Sequence, residues 1–416
     1  MRLFALILAT LCTCSDCSDI ILPEIELTKL AFGSCNMHDR PQPMWSRIRE
    51  QKPEIFVWLG DAIYGDTRVF PFVWRPSPLP VLKEKYRLQK SQPEYKKFVE
   101  DANVLVLGVW DDHDYNLNDG GRDYEDKKEV QQMFLDFVDE DRESIRRRRD
   151  GLYASYLIGP KERRVKLLLL DVRSQLDRRN GDVLGDDQWS WLETELVDDE
   201  GAALVVVGSG MPVLSDMSTI DSWNRYGESR QRLLRLLTKH PKTLLLSGDV
   251  HFAEASCLNA TEGHPLYELT SSGLTHNCFI SLLPESTCSF FLDYVLKQSR
   301  RISAKAYSDL NFGTVTIDWN KGKPLQRFRY GFPPTGSPTT CSASRSPYSI
   351  KPQTFALPQR QREKPTQTFM CSALPPSPQP SQARLHLPLQ LDERVLFSKL
   401  HADVRRMTHV SRSFVP

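Results

Sequence analysis

Short apolar runs recur along the chain from Leu27 to about Tyr330, each bounded by polar turns: "LTKLAFGSCN", "EIFVWLGD", "NVLVLGVWDD", "RRVKLLLLDVRS", "AALVVVGSG" and "KTLLLSGDVHF". Runs this short, apolar on both faces and rich in Val, Leu and Ile, predict buried strands. Between them, "EDKKEVQQMFLDFVDE", "DDQWSWLETEL" and "SRQRLLRLLTKH" place apolar residues at helical spacing and predict amphipathic helices. Strands alternating with helices argue for an α/β layered fold with parallel pairing in part. Two later runs, "LYELTSSGLT" and "FGTVTIDW", alternate apolar with polar residues and predict antiparallel strands. A mixed sheet or two stacked sheets therefore fits better than a single doubly wound sheet.

After Gly331 the pattern gives way to Pro, Ser, Thr, Gln and Arg, as in "PPTGSPTTCSASRSP". Such a segment buries too little apolar surface to offset its ordering entropy, so Pro333 to about Pro388 is expected to be disordered. The last stretch, "LDERVLFSKLHADVRRM", reads as a helix that stays nascent without a partner. From Pro334 onward 11 Lys and Arg face 4 Asp and Glu, although the whole chain of 416 residues carries a formal charge of only +1. A basic tail thus hangs on a mildly acidic body, and the balance gives no reason to expect nucleic acid or membrane as the main partner.

The N-terminus, "MRLFALILATLCTCSDCSD", has one Arg, an apolar run too short to span a bilayer, then small residues. That is the layout of a secretory signal peptide, and the expected organisation is 1–19 signal, 25–332 folded domain and 333–416 tail. A secreted or secretory-pathway location, with no transmembrane segment, follows as an expectation. In an oxidising compartment Cys278 and Cys288 are the nearest candidates to pair, and Asn259-Ala260-Thr261 is a glycosylation acceptor.

In layered α/β proteins ligands bind beyond the carboxyl ends of the strands. Five predicted strand ends carry chemistry here: Cys35 with Asn36, Asp61 with Tyr64, the stretch "WDDHDYNLNDGG" with Asp111, Asp112, His113, Asp114 and Asn118, Asp171 with Arg173, and Asp249 with His251. One such residue is a cap or a turn. Five together, gathered at one sheet edge, would repel unless a cation neutralised them. Carboxylates with an amide carbonyl suit hard divalent ions, whereas Tyr64 and Cys35 as anionic ligands suit trivalent iron, so a mixed cluster is compatible. An EF-hand reading of "DHDYNLNDGGRD" fails, because Leu117 stands where the turn glycine belongs, Asp123 stands where Glu belongs, and a strand precedes the loop. No G-x-S-x-G elbow and no phosphate-binding P-loop appears.

The order "GSCN", "GDAIYGD", "WDDHDYNLNDGG", "LLLDVRS", "LGDDQWSWL", "SGDVHFAE", "YELTSSGLTH" resembles the PhoD-like alkaline phosphatases, a branch of the calcineurin-like metallophosphoesterases, over about Leu27 to Tyr330. The resemblance implies two mixed β-sheets packed face to face with helices outside. It also implies a binuclear or larger metal cluster of iron with calcium, other divalent ions serving in some relatives, and attack on phosphorus by metal-activated hydroxide. It makes Asp61 the bridging carboxylate, Tyr64 the phenolate on iron and Cys35 a thiolate ligand. Asp112, Asn118, Asp249 and His251 complete the expected metal set. His113, Arg173 and Asn36 are the expected catalytic or phosphate-contacting residues, and Asp171 a supporting one.

Asp111 is read as scaffolding, because neighbouring side chains on an extended strand point to opposite faces. For the same reason a turn must begin near Asp112 if Asp112, His113 and Asp114 are to converge, and Gly120 and Gly121 are expected to serve that turn. Asn116 stands where close relatives have Gly, and tolerates left-handed backbone. His38, His264 and His276 are read as surface or loop histidines. Small phosphate esters are the expected substrates, with nucleic acid entering only as a diester. Two rivals remain: a diesterase or exonuclease with a positively lined groove around Arg173 and Arg225, and a catalytically silent secreted binding protein.

Overall fold

The structure, a computed structural model, describes residues 19–22, 24–70, 73–101, 104–217, 220–260, 263–277, 290–295, 298–303, 305–319, 325–330, 339–343 and 368–370. Residues 1–18 of the expected signal peptide, the Cys278 and Cys288 pair and the C-terminal helical stretch lie outside these residues.

In chain order the first half runs β1 (Asp19–Leu22), β2 (Lys29–Gly33), α1 (Met44–Gln51), β3 (Ile55–Leu59), β4 (Thr67–Phe70), β5 (Val73–Arg75), α2 (Leu79–Ser91), α3 (Pro93–Asp101), β6 (Leu105–Val109), α4 (Lys127–Phe137) and β7 (Ala154–Ile158). The second half runs β8 (Val165–Leu170), α5 (Gly185–Val197), β9 (Leu204–Ser209), α6 (Gly227–Leu237), β10 (Thr243–Ser247), β11 (Ala253–Leu258), β12 (Leu266–Ser271), β13 (Gly313–Asp318), β14 (Leu325–Tyr330), β15 (Thr339–Ala343) and β16 (Thr368–Met370).

These strands make two seven-stranded mixed sheets and a separate hairpin. The first sheet has the order β1-β7-β8-β9-β10-β12-β11, the second β16-β15-β14-β13-β2-β3-β6, and β4 with β5 form the hairpin. Parallel pairing runs through β8, β9, β10 and β12 in the middle of the first sheet and through β2, β3 and β6 at one end of the second. Strands apolar on both faces explain the sandwich. Leu167, Leu169, Leu204, Val206, Leu244 and Leu246 join one core with Ile55, Val57 and Leu59 of the second sheet. Their neighbours Leu168, Leu170, Val205, Val207 and Leu245 join another, under Trp189 and Leu192 of α5 and Leu233 and Leu237 of α6. On β3 the outward Phe56 and Trp58 pack edge-on against Trp45 of α1.

The six long apolar runs and three helices stand where the sequence pattern puts them. β13 pairs antiparallel as expected, but β12 of "LYELTSSGLT" is parallel to β10 on one side and antiparallel to β11 on the other. The sheet also takes in β1, which starts at Asp19, ahead of the expected domain boundary at residue 25. Within the Pro- and Ser-rich segment after Gly331, the short strands β15 and β16 pair outward from β14 through their backbones.

Candidate metal centre

The parallel strands of both sheets deliver their carboxyl ends to one place. The end of β10 closes on the end of β3: a side chain at Gly248 would lie 2.5 Å from the Leu59 carbonyl oxygen, so this approach needs glycine. Immediately beyond the strands the backbone turns sharply. Cys35, Asp61, Asp249 and His251 all take left-handed angles, with φ of 58, 50, 73 and 60°. For residues with a Cβ that conformation costs about 1–2 kcal/mol each, and four instances at one edge mark strain held by the surrounding fold.

The Asp-rich stretch behaves differently. β6 ends at Val109, and the chain then winds into turns in which Tyr115 N–H donates to Asp111 O and Asn116 N–H to His113 O. The winding brings Asp112 and His113 to the same side, as convergence requires. Asn116 and Asp119 carry the positive φ, 64 and 54°. Gly120 and Gly121 do not; they are small because the Leu117 and Leu176 carbonyl oxygens would lie 2.7 and 2.5 Å from a side chain there.

Three overlapping sets of donor atoms result, each within 4.8 Å: Cys35, Asp61 and His251; Asp61, Asp112 and His113; Asp111, Asp112 and Asp249. Asp61 Oδ2 lies 3.3 Å from Cys35 Sγ. Ser272 Oγ is 2.9 Å from the same sulfur and accepts the His251 N–H at 2.8 Å. Tyr64 OH is 3.0 Å from His251 Nε2 and 2.7 Å from His276 Nε2. His113 Nδ1 is 2.7 Å from Asp66 Oδ1.

Burial and mutual repulsion dominate the electrostatics. Burial pushes the Asp61 and Asp249 carboxyls well above the usual carboxylate range, and neighbouring aspartates add to it. Burial also raises the Cys35 thiol and the Tyr64 phenol, reinforced by the charges of Asp61 and Asp249. Asp112 runs the other way: burial raises it, but His113, Arg173 and the N–H groups of Asp119 and His113 together hold it below its ordinary value. His113 reaches about 10, its burial outweighed by Asp112, Asp61 and Asp66. Asp111 sits at about 7, and its Oδ2 is buried without a hydrogen-bond partner. Such a collection of acids, thiol and phenol is unstable as anions alone, and it fits bound cations.

Around this cluster runs a ladder of alternating charge. Arg173 Nε donates to Asp111 Oδ1 at 2.5 Å and Nη1 to Asp221 Oδ2 at 2.8 Å; Arg225 Nη1 meets Asp221 Oδ1 at 3.1 Å and Asp119 Oδ2 at 3.8 Å. Arg173 is fully buried.

A family of PhoD-like phosphatases matches residues 30–324, most of the chain. The chain belongs to the PhoD-like phosphatase family. A solved structure described as "Structure of PhoD" is similar with a TM-score of 0.51 and 18% identity, over 76% of this chain and 69% of that one. A second, "GAP50 the anchor in the inner membrane complex of Plasmodium", has a TM-score of 0.44 and 13% identity, over 73% and 84%. No curated protein matches. Membership makes the chain a phosphoesterase, a hydrolase of phosphate esters with a metal-binding site.

Against this PhoD-like background the sequence-derived residues sort themselves. Cys35, Asp61, Tyr64, Asp112, His113, Asp249 and His251 come together. Asn118 approaches through its main-chain N–H, which donates to Asp66 Oδ2 at 2.9 Å. Asn36 is engaged elsewhere, its Nδ2 donating to Ala62 O and Gln89 Oε1. Arg173 meets Asp171 only through its main-chain N–H. Asp171 is a scaffold, accepting from Trp110, Leu152, Arg173 and Ser174. His276, read as a loop histidine, stands instead against Tyr64, and burial beside His251 lowers it well below its ordinary value. Asp66, Asp221 and Ser272 escaped the sequence reading. Asp66 was visible in "GDAIYGD", whereas Asp221 sits in a loop with no periodic signal.

Proposed function

We propose that this phosphoesterase is metal-dependent, that it acts chiefly on phosphate monoesters, and that it works in the secretory pathway. The observation that carries the metal reading is the overlap of the donor sets: Asp61 and Asp112 each belong to two of the three, so a carboxylate there could serve more than one ion. Cys35, Tyr64, Asp249, His251 and Asp112 would complete the two coordination spheres, with Asn118 beside them. The phenol and thiol favour iron on their side, and the carboxylates favour calcium or another hard divalent ion on the other. When bound, the ions supply Lewis acidity and neutralise charge at the phosphoryl group.

The chain's own residues do the rest. Ser272 Oγ is placed to donate to a Cys35 thiolate. Asp66 holds the proton of His113 at Nδ1 and fixes the ring, leaving Nε2 to donate toward the ester's leaving oxygen. Arg173 is a positioning residue that neutralises Asp111 and Asp221. The monoester reading is favoured because Arg173 and Arg225 are paired with carboxylates, so neither lines an open cationic groove for a polyanionic diester. The secretory location rests on the N-terminal apolar run and on Asn259, exposed just past β11.

Metal analysis of the purified protein, with turnover of a chromogenic monoester and a chromogenic diester, tests the reading. We expect at least two ions per chain and a faster monoester reaction. Protein without metal that still turns over, or full activity in Asp61→Asn, would sink it. A visible phenolate-to-iron colour that disappears in Tyr64→Phe identifies the iron; a colourless active enzyme removes that detail.

A further inference from the structure

Directly after Asp66 stands an element that neither sheet needs. β4 and β5 form a two-stranded hairpin, and their register pairs Arg68 with Trp74, so both side chains share one face. That face is turned to the site. The Trp74 ring centroid is 4.7 Å from that of His113, edge to face at 60°, and 6.1 Å from that of Tyr64. Tyr64 and His113 are themselves 4.0 Å apart at 31°, so the three rings make a continuous wall.

Nothing in the core accounts for the tryptophan. Among the described residues Trp74 belongs to none of the apolar clusters. It stays half-buried, with the Arg68 guanidinium 5.9 Å from its ring centroid, at the outer limit of a cation–π contact. A ring face is thus left for another partner. Isolated two-stranded hairpins are marginally stable, and this one also exposes Val69, Phe70 and Val73 by 50, 62 and 44%. Its geometry holds an indole beside His113.

In the mechanism above, His113 faces the leaving oxygen, so the leaving group emerges on the Trp74 side. We propose that Trp74 determines specificity: its ring stacks on an aromatic leaving group, and the site prefers phosphate esters of phenols or nucleosides to those of aliphatic alcohols. This rests on the phosphoesterase reading and adds no step to it. Water still replaces the ester oxygen on phosphorus, and the alcohol leaves with the proton.

The test compares wild type, Trp74→Ala and Trp74→Phe on phenyl phosphate, adenosine 5′-monophosphate and glycerol phosphate, as ratios of kcat/KM. A parallel arm measures, by calorimetry on the metal-loaded protein, binding of phenyl phosphonate, adenosine 5′-monophosphate and glycerol phosphate. The ratio of aromatic ester to glycerol phosphate is expected to fall about ten-fold in Trp74→Ala, or about 1.4 kcal/mol, and to be largely kept in Trp74→Phe. A fall with phenyl phosphate alone assigns small aryl esters, and one with the nucleotide alone assigns nucleosides. Equal loss on all three esters, as from a merely displaced His113, overturns the proposal, and so does an unchanged ratio. If wild type hydrolyses none of the esters, the phosphoesterase reading fails and binding decides for Trp74: an aromatic preference abolished by Trp74→Ala sustains its role, and no preference ends it.

Discussion

Asp171 and Asp61 are both buried aspartates just beyond a strand, yet their surroundings are opposite. Asp171 accepts from Trp110 Nε1 at 2.8 Å, from the N–H groups of Leu152, Arg173 and Ser174 at 2.7, 2.9 and 3.0 Å, and from Ser174 Oγ at 2.5 Å. Among the described residues the Asp61 carboxylate receives only the Cys35 thiol at 3.3 Å and the His113 N–H at 3.4 Å. Among the described residues no donor reaches the Asp249 carboxylate. A carboxylate ringed by donors is a fastener for the loops that supply them. A carboxylate facing other acids is a ligand waiting for charge. Position at a strand end does not separate the two roles; the supply of donors does.

The sharpest way to break this contrast is Asp61→Asn. Losing the shared ligand is expected to lower turnover on the order of 10³-fold, equivalent to several kcal/mol of transition-state stabilisation. The same change should raise the melting temperature of the metal-free protein, because it removes a buried acid crowded by Asp112 and Asp111. A metal-free variant that melts lower would mean that Asp61 is held by donors after all, like Asp171.

Next in size is the response of metal-free protein to pH. Asp61 and Asp249 are raised well above the ordinary carboxylate value, Asp111 to about 7 and Asp114 to about 8. Each keeps its proton in the folded chain after the unfolded chain has lost it near pH ~4, so the folded state binds more protons and stability falls as pH rises from there to about 8. His113, raised to about 10, adds in the same direction: its contribution is full below ~6.5 and fades as pH climbs. Metal binding releases those protons and should become tighter over the same range. Chelated and metal-loaded samples melted from pH 4 to 9 are expected to diverge with rising pH; parallel curves would contradict the cluster.

Asp171→Asn is expected to act through stability instead. It leaves donors of Trp110, Leu152 and Ser174 facing an amide, a loss of about 2–3 kcal/mol, with the metal content per folded molecule unchanged. Metal loss greater than the loss of folded protein would place Asp171 with the ligands.

Much of this was legible beforehand, for a physical reason. Strands such as "KLLLL" and "LVVV" are apolar on both faces because both faces are covered, so their ends, and the residues after them, can be read from pattern alone. What the pattern could not give were roles set by other parts of the chain. Arg173 reaches past Asp171 to Asp111 and Asp221, and His276 is brought to Tyr64 from more than two hundred positions away. The hairpin holding Trp74 was invisible for the opposite reason: its strands are short and largely exposed, so burial leaves no alternation to read. The turn in "DDHDYNLNDGG" is legible only in part: Asn116 takes the left-handed angle expected of it and Asp119 joins it, while the glycines supply room instead of the turn's angles.

Asp114 stands between the two kinds of aspartate, and the smallest expected effect tests where the boundary lies. It accepts the Ile63 N–H at 3.1 Å and the Asp111 N–H at 3.3 Å, yet burial still raises it to about 8. Near neutral pH it is mostly an uncharged acid, of the same shape as Asn. Near pH ~4, where the unfolded chain still keeps part of this proton, Asp114→Asn should therefore cost less than about 1 kcal/mol, within the range of one neutral hydrogen bond. From there to about pH 8 the unfolded chain has lost the proton while the folded wild type keeps it, so wild type loses stability, the amide does not, and the variant should gain on wild type before the difference levels off. Melting curves of the two chelated proteins at pH 4.5 and pH 8 read this directly. If the difference grows in favour of wild type at the higher pH, the two N–H donors hold the anion well enough for Asp114 to be counted with Asp171.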